Sequence, residues 1–501
     1  MQHALWHRGY ITNQKDTARA RCRSFPALGH AQASVAGKGV RRMSVFSLSN
    51  RKKTWYYLQK NGIRNAVWAV LERIGQEQEV YTWQEPDEKT LSFQREHSAS
   101  LRISIVVPAY RTKKEHLEAM LNSVSKQSYP HWELIVADAG GTAESVQAWA
   151  KKNGICLRKA ADASNLAEWK DQSIMLCTLS ENKGISANTN AGIELAAGDA
   201  VGLLDHDDLL TANALWEMAD CLEKEKKRGK QKLVLFSDED KCDGAASRFY
   251  EPNFKPDFDG ELLLTNNYIC HFTVIETAFL KELKLRSGFD GAQDYDLMLR
   301  AYAAGGQFVH VPKVLYHWRC HEASTASNPR SKRYAYEAGQ RALEDYCLRK
   351  GWKATVSGLK HLGFYREDYE DSVFCQRPEI GIWAKPLPGG RDIFGIRHPK
   401  GFLVSGLYEN DGSMRYAGLR KGYSGPMHRA ALQQSAPAAD LRSMEVCSAL
   451  KERYAQTIAE LKEACQGLPT AAQETKILQK SMEFCKEATA AGYGILWDPQ
   501  A

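Results

Sequence analysis

Between residues 101 and 345, short runs of consecutive apolar residues alternate with longer stretches whose apolar positions repeat every three to four residues. Ile103–Val107 is continuously apolar, the pattern of a strand buried on both faces, and Leu117, Met120, Leu121 and Val124 then fall on one face of a helix. Leu134–Ala137 reads as the next strand, Ile185–Ala197 as the next helix, and Val201–Leu204 and Leu233–Phe236 as two further strands. Strands separated by helices predict an α/β fold with a mostly parallel sheet and helices on both faces. Ligands on such sheets bind beyond the carboxyl ends of the strands, so the chemistry is expected just after each apolar run.

The flanks have a different character. Residues 1–42 are Arg-rich and lack periodicity, which fits a disordered tail, a transit-like peptide or sequence upstream of a true start at Met43, the start expected here. Residues 51–74, RKKTWYYLQKNGIRNAVWAVLERI, mix basic residues with Trp55, Tyr56, Tyr57 and Trp68. That mixture suits a helix lying on an anionic membrane surface, and equally an amphipathic helix docked on the neighbouring domain. From about 375 the chain turns Gly- and Pro-rich, then helix-like over 431–490. The expected organisation is a tail (1–42), a basic helical segment (43–98), the α/β domain (99–350) and a smaller C-terminal α/β or mostly helical module (375–501).

Composition narrows the function. The net charge of +7 comes from the amino terminus: residues 1–53 hold eleven Lys/Arg against Asp16 alone, so the remainder is mildly acidic. Nucleic-acid binding needs basic charge on the folded surface, so no nucleic-acid partner is expected. Twelve cysteines without a CxxC pair give neither a zinc ribbon nor a redox motif, and read as free thiols in a reducing compartment. With no apolar run of 18 residues and no apolar signal core, the expected location is cytoplasmic, with peripheral contact at the inner face of the cell membrane through residues 51–74.

The strand ends carry the candidate chemistry. Pro108 and Tyr110 follow the first strand, Asp138 the second, and Asp205-His206-Asp207-Asp208 the run Val201–Leu204. An acidic triplet in a loop is more often a solvated turn, but directly after a buried strand its mutual repulsion is costly, and a divalent cation removes that cost. In an extended segment Asp205 and Asp207 project to one side, and oxygen-only ligation suits Mg²⁺ or Mn²⁺. Asn182-Lys183-Gly184, with Asn188 beyond, is a polar, Gly-bearing helix entry that offers N–H groups to an anion. Gln293-Asp294 opens another helix, where the helix dipole keeps the Asp294 carboxylate ionised and ready to accept a proton, or uses it merely as a cap.

These motifs in this order resemble the inverting glycosyltransferase family 2, with its GT-A fold, over roughly residues 100–345. The wording LLDHDDLL, ENKGISANTNAGIELAAGD, GAQDYDLMLR and LYHWR is most similar to bacterial enzymes that assemble rhamnose-rich or O-antigen-type surface and cell-wall polysaccharides. The resemblance implies a metal-dependent transferase taking a sugar from a dTDP-, UDP- or GDP-sugar donor to a polysaccharide or lipid-linked glycan acceptor. It implies a nucleotide pocket at Pro108, Tyr110, Asp138, Asn182, Lys183, Gly184, Asn188 and Asp205, a DxD metal pair at Asp205 and Asp207 joined by His317, and Asp294 as catalytic base. Gln293, Trp318 and Arg319 would lie on the acceptor side. Asp138-Ala139-Gly140-Gly141 departs from the two adjacent acids that the family often shows, so no base preference is implied. The stretch from Gly401 to Arg429 is similar to the later part of second transferase modules in tandem enzymes, without a second acid cluster.

Three rival readings compete with this one. A nucleotidyltransferase would carry a Gly-rich basic loop after the first strand, and Pro108-Ala-Tyr-Arg-Thr-Lys-Lys-Glu has no glycine. A Rossmann dehydrogenase fails for want of G-x-G-x-x-G. The alternative from another class is a non-catalytic, transferase-like binding or scaffold protein of polysaccharide assembly, against which the joint presence of Asp205, Asp207 and Asp294 argues.

Overall fold

The computed structural model describes residues 81–160, 169–320, 333–358, 363–370 and 373–384, with short pieces between 406 and 497. Residues 1–42 and the basic aromatic segment 51–74 lie outside the described residues, as does most of the 401–429 stretch. Among the described residues no helix is long and apolar enough to cross a membrane.

One ten-stranded sheet organises the domain. Its strands are β1 (Ile103–Ala109), β2 (Trp132–Asp138), β3 (Cys156–Lys159), β4 (Ser173–Thr178), β5 (Ala200–Leu203), β6 (Leu209–Leu210), β7 (Leu233–Asp243), β8 (Phe249–Asn253), β9 (Thr273–Glu276) and β10 (Gln307–Cys320). The order across the sheet is β3-β4-β2-β1-β5-β9-β7-β10-β6, with β8 paired to β7. From β3 to β5 every pair is parallel, and β7 and β10 are parallel to each other. β9 runs antiparallel to both neighbours, β5 and β7.

Apolar alternation along the strands builds a core on each face. Ile103, Ile105 and Val107 of β1 face the helices Lys114–Ser125, Ala143–Asn153 and Ala214–Lys227 through Leu117, Met120, Val124, Val146 and Leu215. Val106 of the same strand faces the other way, into a core with Ile193, Val234, Phe236, Leu263 and Leu297. Burial of both strand faces explains why these runs are continuously apolar. Gly202 serves this packing, because a Cβ there would lie 2.8 Å from the Phe272 ring.

Beyond 375 the described pieces form a separate four-stranded sheet that includes Ile380–Ala384, Met444–Val446 and Gly494–Trp497. Arg377 ties this region to the main domain: its guanidinium makes a two-pronged pair with Glu261, one prong at 2.6 Å, both side chains being buried.

Candidate active site

The acidic segment after β5 is not extended. The chain reverses between β5 and β6, and the Asp208 N–H donates to the Asp205 carbonyl at 3.3 Å. A turn brings residues three apart together, so Asp208, rather than Asp207, becomes the companion of Asp205. Asp207 is half-buried, and its carbonyl accepts from Arg319 Nε. The third member comes from the antiparallel strand: Leu203 pairs with Thr273, so Asp205, two residues after the one, and His271, two before the other, meet. One ligand atom from each of Asp205, Asp208 and His271 lies within 4.8 Å of the others, close enough to share a metal ion.

Surrounding groups fix this triad. Asp208 is 1% exposed and accepts from Tyr316 Oη at 2.5 Å and from the Arg319 N–H at 2.7 Å. The His271 ring stacks on Tyr316 with centroids 4.7 Å apart and meets the edge of Trp318 at 6.1 Å. The buried Lys255 ammonium donates to the carbonyls of Ile269 and His271, which pins the loop before β9. Burial raises the Asp205 carboxyl above its ordinary value, with His271 opposing and the charges of Asp207 and Asp294 adding to the rise. Burial, then Asp207 and Asp205, push Asp208 well above its ordinary value. Crowded buried carboxylates of this kind favour a divalent cation over two naked charges. Two carboxylates and one imidazole fit Mn²⁺ or Mg²⁺.

Asp294 sits in the first turn of the helix Gln293–Ala303, and its Oδ2 accepts from Asn267 Nδ2 at 2.7 Å and from the Cys270 thiol at 3.6 Å. Cys270 is the neighbour of His271 in the chain, so its contact with Asp294 sets this carboxylate beside the triad. Of the residues expected on the acceptor side, Trp318 is half-buried beside His271. Gln293 closes its own turn by accepting the Gly291 N–H at 2.8 Å. Arg319 is 2% exposed and lies behind the acidic turn.

His317 is placed elsewhere. Its Nδ1 pairs with Asp240 at 2.5 Å, its ring packs against Trp83 and Phe249, and Asp240 also accepts from Tyr81 Oη at 2.6 Å. The imidazole beside the acids is therefore His271, a residue that periodicity could not single out because its position depends on β9 running backwards. Asp240 belongs to a row of buried acids in β7, each with a cationic or imidazole partner: Asp238 with His310 at 2.8 Å and Glu239 with Lys255 at 3.5 Å.

On the other side of β5, Pro108 pairs with Ala137 near the end of β1 and is half-buried, and Tyr110 just beyond is 39% exposed. The Arg111 N–H donates to the Gly140 carbonyl at 2.9 Å, joining the exits of β1 and β2. Asp138 is 1% exposed and accepts the N–H groups of Gly140, Thr142 and Ala143, so it caps the helix Ala143–Asn153. The polar helix entry is likewise internally bonded: Asn182 Oδ1 accepts from Gly184 N–H at 3.1 Å and Asn188 Nδ2 at 2.8 Å, and Asn188 Oδ1 accepts from Lys183 N–H at 3.3 Å. The anion at that helix N-terminus is the chain's own Asp290, whose Oδ1 accepts the Ser186 N–H at 3.3 Å.

With this geometry in place, the comparisons with known proteins are specific. The family model described as glycosyl transferase family 2 matches residues 104–283, the span from β1 through the acidic turn to the helix after β9. The chain carries a glycosyl transferase family 2 domain. An uncharacterized protein of Sinorhizobium fredii is 37% identical over 255 residues, covering 50% of this chain and 26% of that protein. The O-antigen biosynthesis protein RfbC of Myxococcus xanthus is 34% identical over 256 residues, covering 51% of this chain and 19% of RfbC. The chain thus spans only 26% and 19% of the length of these two curated relatives. The amylovoran biosynthesis glycosyltransferase AmsB of Erwinia amylovora is 28% identical, covering 43% of this chain and 70% of AmsB. Among solved structures, S. aureus TarS shares 19% identity at a TM-score of 0.36, covering 50% of this chain and 66% of the solved one. The glycosyl transferase domain thus takes in β1 through β9, and Asp294 lies just beyond the matched span.

Proposed function

We propose that this protein is an inverting, metal-dependent glycosyltransferase that moves a sugar from a nucleotide-diphosphate donor to a growing surface polysaccharide, on a lipid-linked acceptor. The observation that carries the reading is the meeting of Asp205, Asp208 and His271 beside Asp294, which the residue before His271 contacts. Within a family 2 domain that arrangement separates the two tasks of sugar transfer. The relatives named for O-antigen and amylovoran biosynthesis support the acceptor class.

In this reading Asp205, Asp208 and His271 hold Mn²⁺ or Mg²⁺, which when bound neutralises negative charge on the diphosphate leaving group. The imidazole in the set favours Mn²⁺ over Mg²⁺. Tyr110 and the joined β1 and β2 exits border the nucleotide. Asp294 accepts the proton of the acceptor hydroxyl through its carboxylate, and the hydroxyl oxygen displaces the nucleoside diphosphate at the anomeric carbon. A single displacement inverts the configuration at that carbon. General-base assistance of this kind contributes about 10²–10⁴-fold in rate.

The test is nucleoside diphosphate release from a panel of UDP-, dTDP- and GDP-sugars, with and without Mn²⁺, using membrane extract as acceptor source. Metal-dependent release from one donor, abolished by Asp294→Asn, is the expected result. No release from any donor, together with retained binding of Mn²⁺ and nucleotide, would replace this reading with a non-catalytic binding role.

A further inference from the structure

Asp294 does not stand alone in its pocket. The loop between the helix Gly260–Thr265 and β9 presents two donors to the same carboxylate oxygen: Asn267 Nδ2 at 2.7 Å and Cys270 Sγ at 3.6 Å, both to Oδ2. Among the described residues nothing donates to Oδ1. The orientation of the Asn267 amide follows from its own bonding, since its Oδ1 faces the Cys270 N–H at 3.5 Å and leaves the NH₂ end to meet Asp294. The loop is held in turn: Tyr268 N–H donates to the Asn266 carbonyl at 3.0 Å, and the Lys255 ammonium takes the carbonyls of Ile269 and His271.

We propose that Asn267 and Cys270 are positioning residues for the Asp294 base. They tether Oδ2, which aims Oδ1 at the acceptor hydroxyl. One residue past Cys270 the same loop supplies His271, so a single short segment sets where the base stands relative to the metal-binding group. The inference rests on Asp294 acting as the base. A tethered carboxylate can rotate little about its side-chain torsions, and correct aim of a reacting group is worth a large share of the rate it provides.

The experiment uses the full chain with Mn²⁺ and whichever of the UDP-, dTDP- or GDP-sugars supports release. Turnover, donor KM, Mn²⁺ affinity and melting temperature are measured for Asn267→Leu, Cys270→Ala, Cys270→Ser and Asp294→Asn. Asn267→Leu is expected to lower kcat about 10- to 100-fold with donor KM and Mn²⁺ affinity unchanged. Cys270→Ala should lower kcat by a smaller factor, and Cys270→Ser, which keeps a donor, should recover most of what the alanine loses. If Asn267→Leu does not fold, the Cys270 pair carries the test: equal kcat for the alanine and serine variants would overturn the proposal. So would wild-type kcat in Asn267→Leu, or a kcat loss matched by an equal loss of Mn²⁺ affinity, while Asp294→Asn is inactive. Turnover in Asp294→Asn itself would instead remove the base assignment, a separate and distinguishable failure.

Discussion

Replacing Arg319 by methionine removes the clamp behind the acidic turn. The side chain is 2% exposed, and its guanidinium donates to the carbonyls of Asp207 and Gly244, the latter at 2.8 Å. Hydrogen bonds from a charged donor are worth about 1.5–3 kcal/mol each, so the gross loss is about 3–6 kcal/mol. Two effects offset it. Nη2 is buried without a partner, so the substitution ends the desolvation of an unsatisfied cationic N–H, and methionine keeps much of the apolar contact. A net destabilisation of about 2 kcal/mol follows. The backbone N–H of residue 319 still holds Asp208 at 2.7 Å, so the turn loosens without being lost. If re-forming the turn costs about 1.4 kcal/mol, Mn²⁺ binds about tenfold more weakly. Urea unfolding with a constant m-value gives the first number, and Mn²⁺ titration of the folded protein the second. Wild-type Mn²⁺ affinity in a destabilised variant would refute the reasoning, because Arg319 would then support the fold without shaping the turn.

Three other predictions concern the frame around the site. Arg377→Met strands Glu261, which is buried and bonded to both guanidinium prongs, so urea unfolding should show a loss of about 3–5 kcal/mol, much of it recovered when Glu261→Leu is added. Burial, then the neighbouring Glu261, push the Glu367 carboxyl from 4.5 up to about 8, with Arg377 opposing, and its Oε1 is buried without a partner. Between those values the folded chain keeps a proton that the unfolded chain has lost, so this group makes stability fall as pH rises to about 8 and leaves it level above. Glu367→Gln should flatten that slope in thermal melts, and an unchanged slope would assign it to another group. At Gly184, φ is +94° and an added Cβ would stand 2.3 Å from Asp290 Oδ2, so Gly184→Ala should lower stability by about 1–3 kcal/mol and displace Asp290 from the helix entry.

Much of the sheet was legible because its strands are buried on both faces. Ile103–Val107 and Leu134–Ala137 fall inside β1 and β2, and the spacing of Leu117, Met120, Leu121 and Val124 marks the buried side of the helix Lys114–Ser125. The acids at 205–208 stood out because charge directly after a buried strand is costly without a task, and Asp294 because a helix start keeps a carboxylate ionised. The pairing within the acids was not legible. Period-two reasoning joins Asp205 to Asp207, whereas the turn that returns the chain into β6 joins Asp205 to Asp208. His271 was invisible for a topological reason, since only the antiparallel register of β9 against β5 carries it to Asp205. The resemblance pointed to His317 as a ligand, yet the buried acids of β7 supply it with Asp240. The helix entry at Gly184 looked like an anion site, and in the structure Asp290, from a segment about a hundred residues away, accepts the Ser186 N–H there.

The most direct test of the account is a calorimetric titration of Mn²⁺, with UDP, dTDP or GDP present, into four full-length chains: wild type, Asp208→Asn, His271→Ala and Asp294→Asn. The account predicts metal-dependent nucleotide binding in the wild type and in Asp294→Asn, and its loss in Asp208→Asn and His271→Ala. Undiminished Mn²⁺ binding in both Asp208→Asn and His271→Ala would contradict it, because the group formed by the turn and the reversed strand would then not be where the metal is held.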